Sequence, residues 1–565
     1  MITRRVSVTL ALLLPAIISV MIVIIWDRQG VNPITGDEPH YLLITDSLLR
    51  DGDLRVGNNY LLDTLVRRAL PGGGAPLDAH TQGSYSIHGP GLPALLIPGY
   101  ALGGVLGAKI ELALLVGLLP LSVYRRALAI LPDSPWPLSV ALIVGLGQPF
   151  LIGGGQIYPD LLAGLILFEL LGAWDEGAAA PGWWAGGLLA LLPWLHLKLL
   201  APAALLALLY ARRTRAPTLL LAASAAGLGL YNLRAFGSIL GPYQPGDATS
   251  DIGRVAMVAL GLHMDRMQGI FVQAPIFLLG LLGLASLVAE RRRLALAAGA
   301  IALLVLLPSA AHTNWYGGTS FAGRFFWAVA PLWCFPLLFA IRLLRRRGLA
   351  ALAVGALAGA ILLESVFVAK VLIPNAYTYT APPSPAAAWM DSDPYADFLD
   401  LTPMQRARWL PSFQEPETAA RTPANWIFGG LIICLTYTGG CALRGRPKAC
   451  MAAWGTFLIA AACAAWLVQP DIRPATLGAE LELRRGAGYV AAGPRGAIQP
   501  GRYALALGYA AGGPARWECA LVGVDGRREA LAAGELAAGD GELRASCAIP
   551  RASDRAALFE LRLYG

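Results

Sequence analysis

The chain has 565 residues, 56% of them hydrophobic and only 14% charged, with a formal net charge of +8. Soluble domains carry about 45–50% apolar and about 25% charged residues, so the composition excludes an ordinary soluble enzyme and indicates a polytopic membrane protein. The arginines lie in short loops between apolar runs, not in a patch interleaved with aromatics; that pattern encodes topology and excludes a nucleic-acid partner.

The first run, 6–26, follows Arg4 and Arg5 and is long enough to span a bilayer, which takes about 20 residues. It ends in "IIWDRQG" rather than a small-residue cleavage site, so it reads as an uncleaved first span, not a signal peptide. Loop 27–107 opens with "GDEPHYLL". Asp37 can cap a helix starting at Glu38–Pro39, and Tyr41, Leu42, Thr45, Leu48 and Leu49 would share one face of it along the membrane surface. Capping accounts for Asp37 but not for Glu38, His40, His80 and His88, which accompany it. The stretch "PGLPALLIPGYALGGVLG" (90–107) is apolar but rich in Pro and Gly, and reads as interfacial or re-entrant.

Further apolar runs follow at 108–124, 137–154, 160–174, 183–195, 197–210, 217–233, 270–289, 294–311, 325–343, 349–372, 425–443 and 449–468. The glycines at 145, 147 and 153–155 make the outer end of 137–154 irregular, and the short pair 183–195 and 197–210 reads as a tight hairpin. With every basic cluster inside (Arg4–Arg5, Arg125–Arg126, 211–215, 290–293, 345–347 and 444–448) the chain crosses thirteen times. This places the N-terminus in the cytoplasm and the C-terminus outside. The fold class expected is mostly α, with a transmembrane domain over 1–468 and a small external all-β domain, sandwich- or jelly-roll-like, over 469–565. The tail carries that expectation in alternating stretches such as "GRYALALGYAA" and "AALFELRLYG" separated by turn residues. Cys519 and Cys547 fall on two of its strands, where a disulfide can form; the other five cysteines lie in or beside spans as apolar fillers. No Cys/His zinc spacing is present.

Under this topology the long and polar loops share the outer face. "QIYPD" sets Tyr158 and Asp160 at the mouth of a span, where Asp160 serves as a cap. "LHLKLL" sets His196 and Lys198 between two short apolar runs; a lysine near the bilayer centre costs about 2.5–3.5 kcal/mol, while one at the edge snorkels. "NWYGGTSFAGRFF" leads into a span through Arg324, an outer arginine that runs against the positive-inside pattern. Its planar fork of donors suits phosphate oxygens or an outer carboxylate. Arg234 and Arg266 are weaker examples of the same kind. Carboxylates from one loop and cations from others would fit an anionic lipid headgroup between them, with an acid as base.

In order and spacing, "GDEPHYL" after the first span, "HGPGLPALLIP", "YPD", "HLKLLAP" and "WYGGTSFAGRF" resemble the GT-C superfamily of membrane glycosyltransferases, in particular the bacterial relatives of protein O-mannosyltransferases and of the lipid A aminoarabinose transferase. The resemblance covers most of 1–345. It implies a bacterial cell-membrane enzyme that transfers a sugar, with inversion, from a polyprenyl-phosphate donor to a lipid, protein or glycan acceptor on the external face. It implies Asp37 as the base, Glu38 as helper or metal ligand, and Lys198, Arg324 and His196 on the donor phosphate. His40, His88, Tyr158, Asp160 and Arg266 are the further candidates. No cofactor and no dedicated metal site is expected, with a divalent cation on the acid pair left open. One departure is "HLKL" where the aminoarabinose transferases have a "TKGP"-like turn, which touches the donor contact. The tail is similar to carbohydrate-binding modules. Two other classes stay open: a lipid-linked glycan transporter, which calls for internal repeats and midplane charges, and an envelope glycan-binding protein.

Overall fold

In the computed structural model the described residues are 4–29, 34, 36–61, 80–132, 135–177, 182–242, 248–312, 315, 322–372, 394–399, 409–413, 419, 422–467, 491–492, 501–511, 515–522, 528–549 and 558–564. Apolar runs become helices because lipid offers backbone N–H and C=O groups no partner, so each segment must satisfy its own. Among the described residues six helices are long and apolar enough to cross a membrane: Arg5–Gln29, Ile97–Ile130, Ala216–Phe236, Arg292–Ala311, Pro423–Arg444 and Pro447–Ala464. Shorter apolar helices fill the remaining runs, at Trp136–Leu146, Gly182–Leu195, Leu197–Ala211, Ile252–Met264, Ile276–Glu290 and Ala350–Val366. The chain is therefore a mostly helical, multi-pass membrane protein. The thirteen crossings expected from charge exceed the six helices that meet the length.

Three differences from the expected runs have local causes. Run 325–343 does not start as an α-helix: it begins as two tight turns, Arg324–Phe326 and Ala330–Trp333, before the Cys334–Arg346 helix. Pro331 supplies no N–H there. Run 90–107 is a short helix, Gly91–Leu95, and then the start of Ile97–Val116, which breaks at Gly103–Gly104. Loop 234–269 contains a helix, Ile252–Met264, started by the Asp251 side chain accepting from Arg254 N at 3.1 Å.

The core sits around the Asp160–Asp175 helix, which is buried nearly all round. Phe168 on it packs against Phe335 at 4.7 Å between ring centroids. The Ile276–Glu290 helix lies hard against Cys334–Arg346, and a Cβ at Gly283 would collide with the Pro336 carbonyl, so only glycine permits this approach. Large apolar side chains stay exposed on the outer helices, among them Leu219, Leu230, Ile433 and Leu458. That is the belt lipid covers in a membrane protein and would be a liability in a soluble one.

The described part of the tail is all β, in two antiparallel sheets. One has the order β3 (Ala491–Ala492), β8 (Leu558–Tyr564), β5 (Ala515–Val522), β6 (Arg528–Leu536); the other pairs β4 (Gly501–Ala511) with β7 (Gly539–Ile549). Cys519 is buried on β5, whereas the side chain of Cys547 lies outside the described residues, and the expected disulfide with it.

Candidate active site

Four separate segments deliver charged side chains to one buried place. The first is the loop ahead of the Glu38–Arg50 helix. Pro39 sits in its first turn, as expected, and the Asp37 carbonyl accepts from His40 N and Tyr41 N. The Asp37 carboxylate, however, does not cap the helix. Its Oδ2 accepts from Arg324 Nη1 at 2.8 Å, 287 residues away in sequence. The capping expectation thus holds for the backbone and fails for the side chain, because a buried guanidinium is the stronger partner.

Arg324 is held rigidly. Gly323 precedes it at φ +80°, a left-handed conformation that costs a residue with a Cβ. A Cβ there would come within 2.7 Å of Gln273 Nε2. Gly323 N donates to Gln268 Oε1 at 2.6 Å, and Gln268 N in turn donates to the buried Asp265 at 2.9 Å. Arg266 belongs to this bracing turn, with its N–H on the Pro411 carbonyl at 2.8 Å. Arg266 is 7% exposed. The Arg324 guanidinium stacks over Tyr158 at 4.3 Å from the ring centroid. Among the described residues its Nε has no hydrogen-bond partner.

Beside this pair lies a second. Asp160 opens its helix after Pro159, and its Oδ1 accepts from Lys198 Nζ at 2.9 Å, with Asp160 buried and Lys198 largely so. The expectation of a cap is again replaced by an ion pair. Lys198 also lies 5.2 Å from the centroid of Phe325, the residue after Arg324. His196 caps the Leu197–Leu199 turn through its ring, which accepts from Lys198 N at 3.2 Å.

The electrostatics follow from the burial. Burial pushes the Asp37 carboxyl up, but Arg324 outweighs it, with smaller help from His88 and His40, and holds the group far below the ordinary carboxylate range. Burial by itself lowers Arg324, and Asp37, Tyr158 and Asp160 together more than restore it, so it stays charged. Burial, reinforced by the Lys198 ammonium, pulls His196 down to about 3, so its imidazole is neutral at pH 7.

Glu38 has contacts of its own. It is fully buried: its Oε1 accepts from Ile157 N at 2.9 Å and lies 4.0 Å from Lys109 Nζ. Glu38 so fixes the "QIYPD" turn that carries Tyr158 and Asp160. Lys109 was not singled out in the sequence, although a lone lysine inside "LGAKIELALL" is the signal of a buried charge with a partner.

His40, His80 and His88 come together next to Asp37. His80 Nδ1 lies 3.3 Å from His88 Nε2, and the rings of His40 and His80 stack at 3.9 Å. His40 Nδ1 is 2.6 Å from Tyr60 Oη. Burial, with repulsion from neighbouring imidazoles, pulls His40 down to about 3 and His88 to about 4. A cleft lined by Tyr41, His88, Pro90, His196, Tyr231 and Asn232 opens beside these groups. Arg234 is exposed and acts on Tyr85 rather than on this site.

The described residues thus define a multi-pass membrane protein with two largely buried ion pairs, a histidine cluster and an adjoining cleft. No family model matches the sequence, and no curated protein matches it. Among solved structures the chain is similar to ArnT from Cupriavidus metallidurans in the apo state, at 13% identity over 80% of this chain and 77% of that chain, with a TM-score of 0.38.

Proposed function

We propose that the chain is a GT-C-type glycosyltransferase that moves a sugar from a polyprenyl-phosphate donor to an acceptor hydroxyl on the external face of a bacterial cell membrane. The observation that carries this reading is the Asp37–Arg324 pair at 2.8 Å beside the Lys198–Asp160 pair at 2.9 Å. It couples the loop after the first helix to three later segments, in the order the sequence resemblance leads one to expect.

The chemistry divides among these groups. In transfer with inversion the acceptor oxygen attacks the anomeric carbon as its proton passes to a carboxylate. The anomeric C–O bond breaks, and polyprenyl phosphate leaves with one more negative charge than it had as a diester. Fixed cations stabilise that added charge, a role this reading gives to Arg324 and Lys198. Arg324 retains an Nε–H without a partner among the described residues, a donor available to a phosphate oxygen.

Paired with Arg324, Asp37 is too weak a base to take a hydroxyl proton. A donor phosphate that claims the guanidinium loosens that pair, and the buried carboxyl, left to desolvation, rises toward a useful range. Donor binding would in this way switch on the base. Glu38, held at Ile157 N, supports the site from behind. Tyr158 carries the guanidinium, and His196 shapes the Lys198 turn. The external β domain, 469–565, would hold glycan acceptor near the membrane.

The test uses the full chain in detergent with a radiolabelled polyprenyl-phosphate sugar and crude envelope acceptor. Label transferred by the wild type and lost in Arg324→Ala supports the reading. No transfer with a panel of such donors, together with donor movement across proteoliposomes, would replace it with transport.

A further inference from the structure

His40 is well separated in sequence from His80 and His88, and the fold brings the three together for a local reason. β1 (Thr81–Gln82) pairs antiparallel with β2 (Tyr85–Ser86), and Ile87 N donates to the His80 carbonyl at 3.0 Å. This short hairpin sets His80 and His88 on its two open ends. His40 comes from the first turn of the Glu38–Arg50 helix, three residues after Asp37.

We propose that these three histidines bind one divalent transition-metal ion of the zinc class, tying the hairpin to the helix that follows Asp37. One nitrogen from each of the three rings lies within 4.8 Å of the other two. The His80–His88 nitrogen separation of 3.3 Å is the spacing two ligands take on one tetrahedral ion, about 3.3 Å for bonds of about 2.0–2.1 Å. A modest tilt of the stacked His40 ring brings the third nitrogen in. Tyr60 supplies the outer partner such ligands commonly have: with hydrogen on His40 Nδ1 donating to Tyr60 Oη, Nε2 keeps its lone pair for the ion. Three imidazoles with no thiolate select zinc, copper, nickel or iron over magnesium or calcium.

The two carboxylates of the loop are not the ligands. Asp37 is taken by Arg324, and Glu38 by Ile157 N and Lys109. A cation on the acid pair itself would have to displace both arrangements. An ion on the histidines instead adds charge beside Asp37 and stiffens the loop, whatever reaction the site performs.

Metal content, not transfer, tests this, so its failure is distinct from failure of the glycosyltransferase reading. Full-length protein in detergent is stripped with a chelator and titrated with Zn²⁺, and with Co²⁺ followed by visible absorption. One tightly bound equivalent in the wild type is expected, with affinity at least about 100-fold weaker in His80→Ala and His88→Ala, and about 10–100-fold weaker in Tyr60→Phe, as for outer partners of metal ligands. His80→Cys, which keeps a ligand, should restore Co²⁺ binding and add a thiolate charge-transfer band. His312→Ala serves as a control and should bind as the wild type. An unchanged equivalent in both His80→Ala and His88→Ala, or no uptake by a wild type that melts normally, overturns the proposal.

Discussion

Glu38→Gln separates the two acids of the first loop. The substitution keeps the shape and leaves an oxygen for Ile157 N, a hydrogen bond worth about 1 kcal/mol. It removes the negative charge 4.0 Å from the Lys109 ammonium, whose side chain is only 4% exposed. Breaking a buried ion pair costs about 3–5 kcal/mol, mostly from the charge left behind. At 4.0 Å the contact is long and the Ile157 bond survives, so the lower end, about 3 kcal/mol, is expected. In a large chain about 1 kcal/mol moves the midpoint by about 2 °C, so the apparent melting temperature should fall by about 6 °C. The assay is thermal unfolding in detergent at one fixed scan rate, because irreversible unfolding makes the midpoint rate-dependent. Adding Lys109→Met should recover most of the loss, since the ammonium that Glu38 faced is then gone as well. A Glu38→Gln protein with an unchanged melting temperature and no transfer activity would refute this reasoning and move Glu38 into the chemistry.

Arg324→Lys keeps the charge but loses the planar fork and its stacking on Tyr158; transfer should drop about 100-fold or more, read as kcat/KM, with melting little changed. Gly323→Ala forces a Cβ into a left-handed position against Gln273, and should cost about 1–2 kcal/mol in a melt while weakening donor binding through the displaced Arg324. The third prediction is a pH dependence. His196 titrates near 3 when folded and near its ordinary 6.5 when unfolded, so between those values the unfolded chain binds a proton the folded chain lacks. From His196 alone stability should therefore fall as pH drops below about 6.5, by up to about 2 kcal/mol at pH 5, with His40 and His88 adding in the same direction. His196→Asn, which can still cap the Lys198 turn, should melt with a shallower slope over that window, and an equal slope would remove His196 as its source.

The helices were largely legible because apolar runs bounded by arginine pairs leave few alternatives in a membrane. Ala216–Phe236 and Arg292–Ala311 lie within three residues of the runs read at 217–233 and 294–311. What hydropathy cannot register is short or proline-dictated structure, such as the tight turns after Arg324 and the helix Ile252–Met264. Asp37, Asp160, Lys198 and Arg324 were legible as polar groups at the mouths of spans. Their pairing was not, because each partner lies in a different segment and the same residue types make good caps. Glu38 reads as companion to Asp37 because adjacency in sequence suggests a shared task, whereas the contact at its Oε1 is invisible in sequence. In a helix successive side chains point about 100° apart, and here the second one turns to Lys109. The histidine cluster fits no zinc motif because a hairpin, not a spacing on one helix, brings its members together.

The most direct measurement of the central claim is single-turnover transfer from a radiolabelled polyprenyl-phosphate sugar by wild type and Asp37→Asn, with donor affinity measured on the same preparations. The account predicts that Asp37→Asn binds donor at least as tightly as wild type, because Arg324 is no longer held by a carboxylate, yet transfers no label. Transfer at the wild-type rate by Asp37→Asn would contradict it.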